Sequence, residues 1–208
     1  MIGFVLSLLV TLVLLLGNEW WWRGRVHGET SRKSVHIVVG TFVAFWPLFM
    51  SWTQIAIISV AFVAVVLLSR KHNIFPSIHT VDRVTWGEVF FGLAVGATAL
   101  LTPQPAIFTI AILHMSLADG LAAIIGIKYG KSNTYRVLGA VKSRLGTLTF
   151  FVVSLLLLLA FSVQQSTPLG LWLPVLALGA TVLENFGVRG TDNLFIPVFI
   201  ALALQAVS

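Results

Sequence analysis

The stretch AIFTIAILHMSLADGLAAIIGI, Ala106–Ile127, is 22 residues long and carries a single charge, Asp119. A membrane-spanning helix needs roughly 20 consecutive apolar residues, so this run is predicted to cross a bilayer. The same pattern recurs on both sides of it. Further spans are predicted at Ile2–Trp20, Val35–Met50, Thr53–Ser69, Gly87–Leu101, Gly146–Val163, Leu169–Phe186 and Asn193–Val207. The expected fold is all-α, a polytopic membrane helix bundle of seven or eight transmembrane helices. Several runs fall short of the bilayer thickness, so their helices should extend into the polar flanks. No stretch between spans is long enough to fold alone, which predicts one domain over residues 1–208. The composition agrees: 58% hydrophobic, 10% charged, mean hydropathy +0.98.

Charge fixes the expected orientation. All thirteen Lys and Arg fall in alternate gaps between spans. One gap holds Arg23, Arg25, Arg32 and Lys33, the next holds none, and Arg70, Lys71 and Arg83 follow. Lys128, Lys131, Arg136, Lys142 and Arg144 share a later gap, and Arg189 lies in the last. Cytoplasmic loops carry this excess, so these gaps are predicted to face the cytoplasm, with the N-terminus outside. Positive charge follows the run Ile2–Gly17 rather than preceding it, so that run reads as a retained span, not a signal peptide. The pI near 10.3 follows from the loop bias and requires no nucleic acid partner. The absence of cysteine excludes disulfides, thiolate catalysis and Cys-based zinc sites. Trp20, Trp21, Trp22, Trp46, Trp52, Trp86 and Trp172 lie near span ends, where interfacial anchors are expected.

The seven acidic residues are Glu19, Glu29, Asp82, Glu88, Asp119, Glu184 and Asp192. Asp119 lies nine residues before Lys128, about 13 Å along a helix at 1.5 Å per residue. An ionised carboxylate near a span centre costs about 2.5–3.5 kcal/mol, so such residues usually face a polar cavity and serve function. The plainer alternative is a hydrogen bond to a neighbouring helix. Asp119, Ala122, Ala123, Gly126 and Gly130 share one helical face. That small face would permit either close helix packing or the approach of a phosphate-bearing ligand, and the glycines alone do not choose.

Lys142-Ser143-Arg144-Leu145-Gly146-Thr147 precedes the sixth span. A helix N-terminus there would offer free N–H groups to phosphate, although a basic flank is common in membrane proteins. Glu184 ends the seventh span and Asp192 opens the eighth. Hard cations such as Mg²⁺ use one or two carboxylates together with substrate phosphates, and Asp119, Glu184 and Asp192 suit that role if the helix ends converge. Asp192 alternatively reads as an N-cap. Arg32, Lys33 and His36 open the second span and fit phosphate or headgroup contact. Glu88, in a first turn, suits the helix dipole. His114 lies off the Asp119 face and reads as a packed, hydrogen-bonded residue.

Together these motifs resemble the CTP-dependent lipid-alcohol kinases, a family that includes dolichol kinase, phytol kinase and the yeast-type diacylglycerol kinase. The resemblance rests on Arg32-Lys33 with His36, Gly87-Glu88, Asp119 with Ala122, Gly126, Gly130 and Lys131, Lys142-Ser143 with Gly146-Thr147, Glu184, and Asp192-Asn193 with Pro197. It runs in order from about residue 30 to the end. It implies transfer of the γ-phosphoryl of CTP to a long-chain alcohol such as phytol, a polyprenol or diacylglycerol, with a divalent cation, Mg²⁺ or another.

On that resemblance Asp119 and Lys142 are the expected catalytic residues. Lys33, His36, Gly126, Gly130, Lys131, Lys142, Ser143, Gly146 and Asn193 are expected to hold the nucleotide. Asp119, Glu184, Asp192 and Glu88 are expected at the metal. Leu145 stands where family members usually carry Glu. The Asp119–Gly146 region also resembles phosphatidate cytidylyltransferases, but the His-Gly-Gly run followed by an Asp-Arg pair that ends those enzymes does not occur here. A transporter or lipid-binding protein, with Asp119 as a proton or ion relay, is the non-enzymatic alternative. The expected partners are the lipid alcohol, CTP and membrane lipids.

Overall fold

The computed structural model describes residues 29–72 and 85–208 and part of 3–17. Trp20, Trp21, Trp22, Glu19, Asp82, Arg23, Arg25 and Arg83 lie outside the described residues, and so does much of the predicted first span. Seven helices follow in order through the described segments: α1 Glu29–Ala44, α2 Trp52–His72, α3 Gly87–Leu101, α4 Pro105–Tyr129, α5 Arg144–Gln164, α6 Trp172–Phe186 and α7 Asp192–Val207. Of these, α2, α4 and α5 are long and apolar enough to cross a membrane, while α3, α6 and α7 are shorter apolar helices. Several ends reach into the polar flanks as expected. α1 starts six residues before the predicted span, so Glu29, Arg32 and Lys33 are helical rather than loop.

α4 is the central element. Ile107, Ile110, Ala111, Ala118 and Ala122 pack into one apolar cluster with α5, α6 and α7. Phe108, Ile112, Leu113 and Met115 pack into a second with α1, α2 and α3. A helix apolar all round must be buried by neighbours on every side, and α4 is flanked by α1, α5 and α7. The outer helix faces carry exposed Val60, Leu100 and Val163. Apolar surface of this extent is unusual for a protein in water and suits lipid. Trp46 is a correction to the interfacial reading: it is buried in the α1–α4 cluster, in a 3₁₀ turn over Trp46–Leu48. Trp86 and Trp172 are exposed, as anchors should be.

The all-α expectation needs one amendment. The stretch between α4 and α5 forms a two-stranded antiparallel hairpin, β1 Thr134–Val137 and β2 Ala140–Ser143. Val137 pairs with Ala140, which leaves Leu138 and Gly139 as the turn, both at positive φ (47° and 81°). Positive φ at both central positions is the tight hairpin turn whose twist matches the strands. Glycine adopts it freely, whereas leucine does so rarely, so the usual Asn-Gly signal is missing here.

Candidate active site

Close packing of α1 on α4 builds the floor of the site. A side chain on Gly120 would collide with Ile37, and one on Gly40 would collide with Ser116. Thr109 Oγ1 donates to the Ala44 carbonyl at 2.8 Å, so the two helices run antiparallel along their length. Small residues at a crossing let helix backbones approach. One turn before Ile37, Lys33 therefore reaches Asp119, the neighbour of Gly120, and the two buried side chains form an ion pair. His36 lies behind, its Nε2 2.9 Å from the Met115 carbonyl and 3.8 Å from Asp119 Oδ2.

Asp119 follows directly on a π-helical turn, His114–Ala118, inside α4. Such turns shift the register of a helix face and recur at functional sites. His114 Nδ1 lies 2.8 Å from the Ile110 carbonyl, and Ser116 Oγ donates to the Ile112 carbonyl at 2.9 Å. His114 is fully buried, as the packed reading expected. Nothing in the sequence pattern signalled the wide turn.

The hairpin carries the second pair. Lys142 Nζ donates to Glu184 Oε1 at 2.5 Å and to the Glu184 main-chain carbonyl at 2.7 Å. A cation at the C-terminal end of α6 is favoured by the helix dipole. Burial alone would depress the Lys142 ammonium; the carboxylates of Glu184, Asp192 and Asp119, with the hydrogen bond to Glu184, outweigh it and raise its pKa above the ordinary lysine value. Tyr135 hydrogen-bonds Thr147 and Asn185, which fastens β1 to α5 and α6.

The helix ends do converge. Arg189 and Gly190, both at positive φ, turn the chain sharply from α6 into α7. A side chain at Gly187 would come within 2.5 Å of Asp192 Cβ, so this glycine admits Asp192 against the end of α6. Asp192 is not the N-cap considered from sequence. Thr191 occupies that position, and Asp192 Oδ1 accepts from the Asn193 N–H at 3.2 Å. Asn193 Nδ2 donates to the Gly87 carbonyl at 2.9 Å, and the Trp86 N–H donates to the Arg189 carbonyl at 2.9 Å, tying α3 to α7.

These elements enclose one cavity of about 940 Å³. Asp119, Glu184 and Asp192 line it, together with Arg32, Lys33, Lys131, Lys142 and Arg189. Gly126, Ser143, Gly146 and Asn193 are also in its wall. Sequence reading named most of this set, with Arg32 as a phosphate or headgroup contact, but missed Arg189 as a wall residue and the hairpin turn at Leu138 and Gly139. His36, Gly130 and Glu88 do not line it. His36 lies beneath Asp119, and Gly130 ends α4 with its N–H on the Gly126 carbonyl. Glu88 Oε2 accepts from Arg70 at 3.0 Å, a pairing that answers its charge.

The expectation for Gly146 changes too. Its N–H is taken at 3.0 Å by Ser143 Oγ, which caps α5. Serine is a preferred N-cap because its oxygen satisfies such an N–H, so neither group is open to a phosphate in this arrangement. Gly126 and Gly146 also pack closely, and a side chain on Gly146 would come within 2.9 Å of the Ala122 carbonyl. The small face of α4 thus serves helix packing while forming part of the wall.

A divalent cation fits the carboxylates. Glu184 Oε2 is buried without a hydrogen-bond partner, and Asp192 has no ion-pair partner among the described residues. No group of three His, Asp or Glu among the described residues would hold a metal by itself. Ligands from a substrate would have to complete the shell, as phosphates do for Mg²⁺.

No family model and no solved structure matches the chain. Among characterised proteins, the phytol kinase of Synechocystis sp. is 35% identical over 191 residues, spanning 86% of this chain and 80% of that protein. The aligned length takes in the greater part of the helices that build the cavity, and by this likeness the chain belongs to the lipid-alcohol kinase family.

Proposed function

We propose that the protein is an integral membrane kinase that transfers the γ-phosphoryl of CTP to a long-chain lipid alcohol at the cytoplasmic face. Membership of the lipid-alcohol kinase family supports the reaction class, and the name of the Synechocystis relative makes phytol the first alcohol to test. The observation that carries the reading is one cavity in which cationic and carboxylate side chains from α1, α4, the hairpin, α6 and α7 converge at one end of an apolar bundle. The charge bias of the gaps supports seven or eight spans, an outside N-terminus and a cytoplasmic mouth.

Phosphoryl transfer needs mainly positioning and neutralisation of phosphate charge. Lys142, Lys131 and Arg189, all in the cavity wall, would hold the triphosphate, with the buried Lys33 deeper. The alcohol enters laterally, its tail among the helices and its hydroxyl near Asp119. Asp119 orients that hydroxyl and takes its proton as the oxygen bonds to the γ-phosphorus and the bond to the bridging oxygen breaks; CDP carries away the electron pair. Glu184 and Asp192 would hold a divalent cation, which would supply neutralisation of phosphate charge. Asp119 is committed to Lys33, so the metal role falls to Glu184, whose Oε2 lacks a partner, and to Asp192, which has no ion-pair partner among the described residues.

The test is γ-labelled CTP with Mg²⁺ and a panel of phytol, a polyprenol and diacylglycerol, using purified protein in detergent or liposomes. Label in the lipid fraction is expected, most strongly with phytol. Label entering lipid from α-labelled CTP and phosphatidate, with none from γ-labelled CTP, would mean cytidylyl transfer and overturn the proposal.

A further inference from the structure

We propose that the Lys142–Glu184 ion pair is an exchange device: Lys142 leaves Glu184 for a nucleotide phosphate, and Glu184 with Asp192 accepts the divalent cation that the phosphates carry in. The inference rests on the reading of the cavity as a nucleotide site and adds an obligatory coupling between its two ligands. It begins with Glu184, whose Oε1 is bound to Lys142 while Oε2 is buried without a partner. Asp192 lines the same cavity and has no cation partner among the described residues. Lys142 thus hydrogen-bonds only one of two neighbouring carboxylates.

The electrostatic consequence follows from the charges. A cation arriving alone meets two carboxylates but also the Lys142 ammonium bound to one of them. A triphosphate arriving alone is drawn in by Lys131, Arg189 and Lys142, but finds Lys142 held by Glu184 and is opposed by Glu184 and Asp192. Each ligand by itself is opposed by like charge in a sheltered cavity, where such opposition is poorly screened. Arriving together they exchange partners, phosphate for carboxylate on Lys142 and metal for Lys142 on Glu184, with no charge left opposed. The mechanical conditions are present. Lys142 sits on β2 of a two-stranded hairpin rather than on a packed helix, and its side chain is 17% exposed. The Tyr135 contacts with Asn185 and Thr147 keep the strand in place while the side chain swings. By linkage, whatever factor the phosphates add to metal affinity, the metal adds to phosphate affinity.

The experiment uses the full chain in detergent, without lipid alcohol. Three probes are titrated: Mn²⁺ alone by electron paramagnetic resonance, metal-free inorganic triphosphate in EDTA by calorimetry, and preformed Mn²⁺-triphosphate by water-proton relaxation. The complex is expected to bind at least about tenfold more tightly than either component. Lys142→Gln should raise affinity for Mn²⁺ alone by at least about tenfold, and Glu184→Gln should raise affinity for metal-free triphosphate. These gains run opposite to damage, so misfolding does not imitate them, and the unaltered protein alone already tests the coupling. If Mn²⁺ alone binds the unaltered protein as tightly as the complex does, while γ-label still reaches lipid, the exchange is wrong and the kinase reading stands. If the complex does not bind at all and no label moves, both fall.

Discussion

The two lysine–carboxylate pairs of the cavity have the same chemistry and different settings. Lys33 and Asp119 come from two closely packed helices, and their side chains are 7% and 4% exposed. Lys142 and Glu184 join a hairpin to a helix end, and theirs are 17% and 8% exposed. Breaking a buried pair from one side leaves an uncompensated charge and costs about 3–5 kcal/mol. A pair nearer solvent can recruit water or a ligand. The deep pair is therefore part of the fold as well as the site, whereas the rim pair is available for chemistry at small structural cost.

The largest effect should come from the deep pair. Asp119→Asn is expected to lower turnover by about 10²–10⁴-fold, the usual span for loss of a proton acceptor, and to destabilise the protein by about 3 kcal/mol. Thermal unfolding in detergent with the labelled-CTP assay measures both. The double variant Lys33→Met with Asp119→Leu should recover most of the stability and none of the activity. If it recovered activity, Asp119 would have no chemical role.

Next comes the rim pair. Lys142→Gln should reduce kcat/KM for CTP by about 10²-fold, corresponding to about 2.7 kcal/mol of transition-state stabilisation, while unfolding shifts by only about 1 kcal/mol. A stability loss as large as that of Asp119→Asn would erase the distinction between the pairs. The pH dependence sharpens it. The folded pKa of Lys142 is raised, so its contribution is fully present below the unfolded value of about 10.4 and is lost only as pH rises through the folded one. Between the acid range in which the partner carboxylate takes up a proton and about pH 10, a pH–stability curve for the unaltered protein should lose no Lys142-dependent term; subtracting the Lys142→Gln curve isolates that term.

How far the sequence reaches follows the same division. The apolar runs were legible because lipid demands length and hydropathy, and α2, α4 and α5 lie where they were expected. The named carboxylates were legible because charge in such a chain is rare. Their convergence was not, because it depends on Gly187 admitting Asp192 across a sharp turn and on Gly120 admitting Ile37 from a distant segment, approaches set by three-dimensional geometry. The hairpin was missed because its turn uses Leu138 at positive φ in place of the expected Asn or Asp. The roles of Ser143 and Glu88 shifted because capping and pairing with Arg70 are decided by local geometry that composition does not carry.

Between the pairs lies the packing of α4 against α5. Gly126→Ala would place Cβ 2.8 Å from Ser143 Oγ, the oxygen that caps α5. Overpacking of this kind typically costs about 1–3 kcal/mol, and here it pushes on the strand end next to Lys142. The expected result is an intermediate loss of stability, with KM for CTP raised more than kcat is lowered. An unchanged KM would mean that the hairpin is insulated from the helix crossing beneath it.

The smallest effect should come from the hairpin's anchor. Tyr135→Phe removes a hydroxyl that joins Thr147 and Asn185 and changes nothing in the cavity wall. Asn185 keeps its bond to the Thr181 carbonyl at 2.9 Å, and Thr147 Oγ1 keeps its 3.3 Å contact with Asn185 Oδ1, so no polar atom of the three is left wholly orphaned. The stability cost should be about 1 kcal/mol, the net value of a hydrogen bond replaced in this way. Its functional signature is more specific than its size. A looser β1 lets β2 wander, which weakens the placement of Lys142 on a phosphate but leaves Lys33 and Asp119 untouched on their helices. Steady-state kinetics should therefore show a raised KM for CTP with an unchanged KM for the alcohol. Equal changes in both would mean that the hairpin and the helices form a single rigid wall, and that the difference between the two pairs is one of exposure alone.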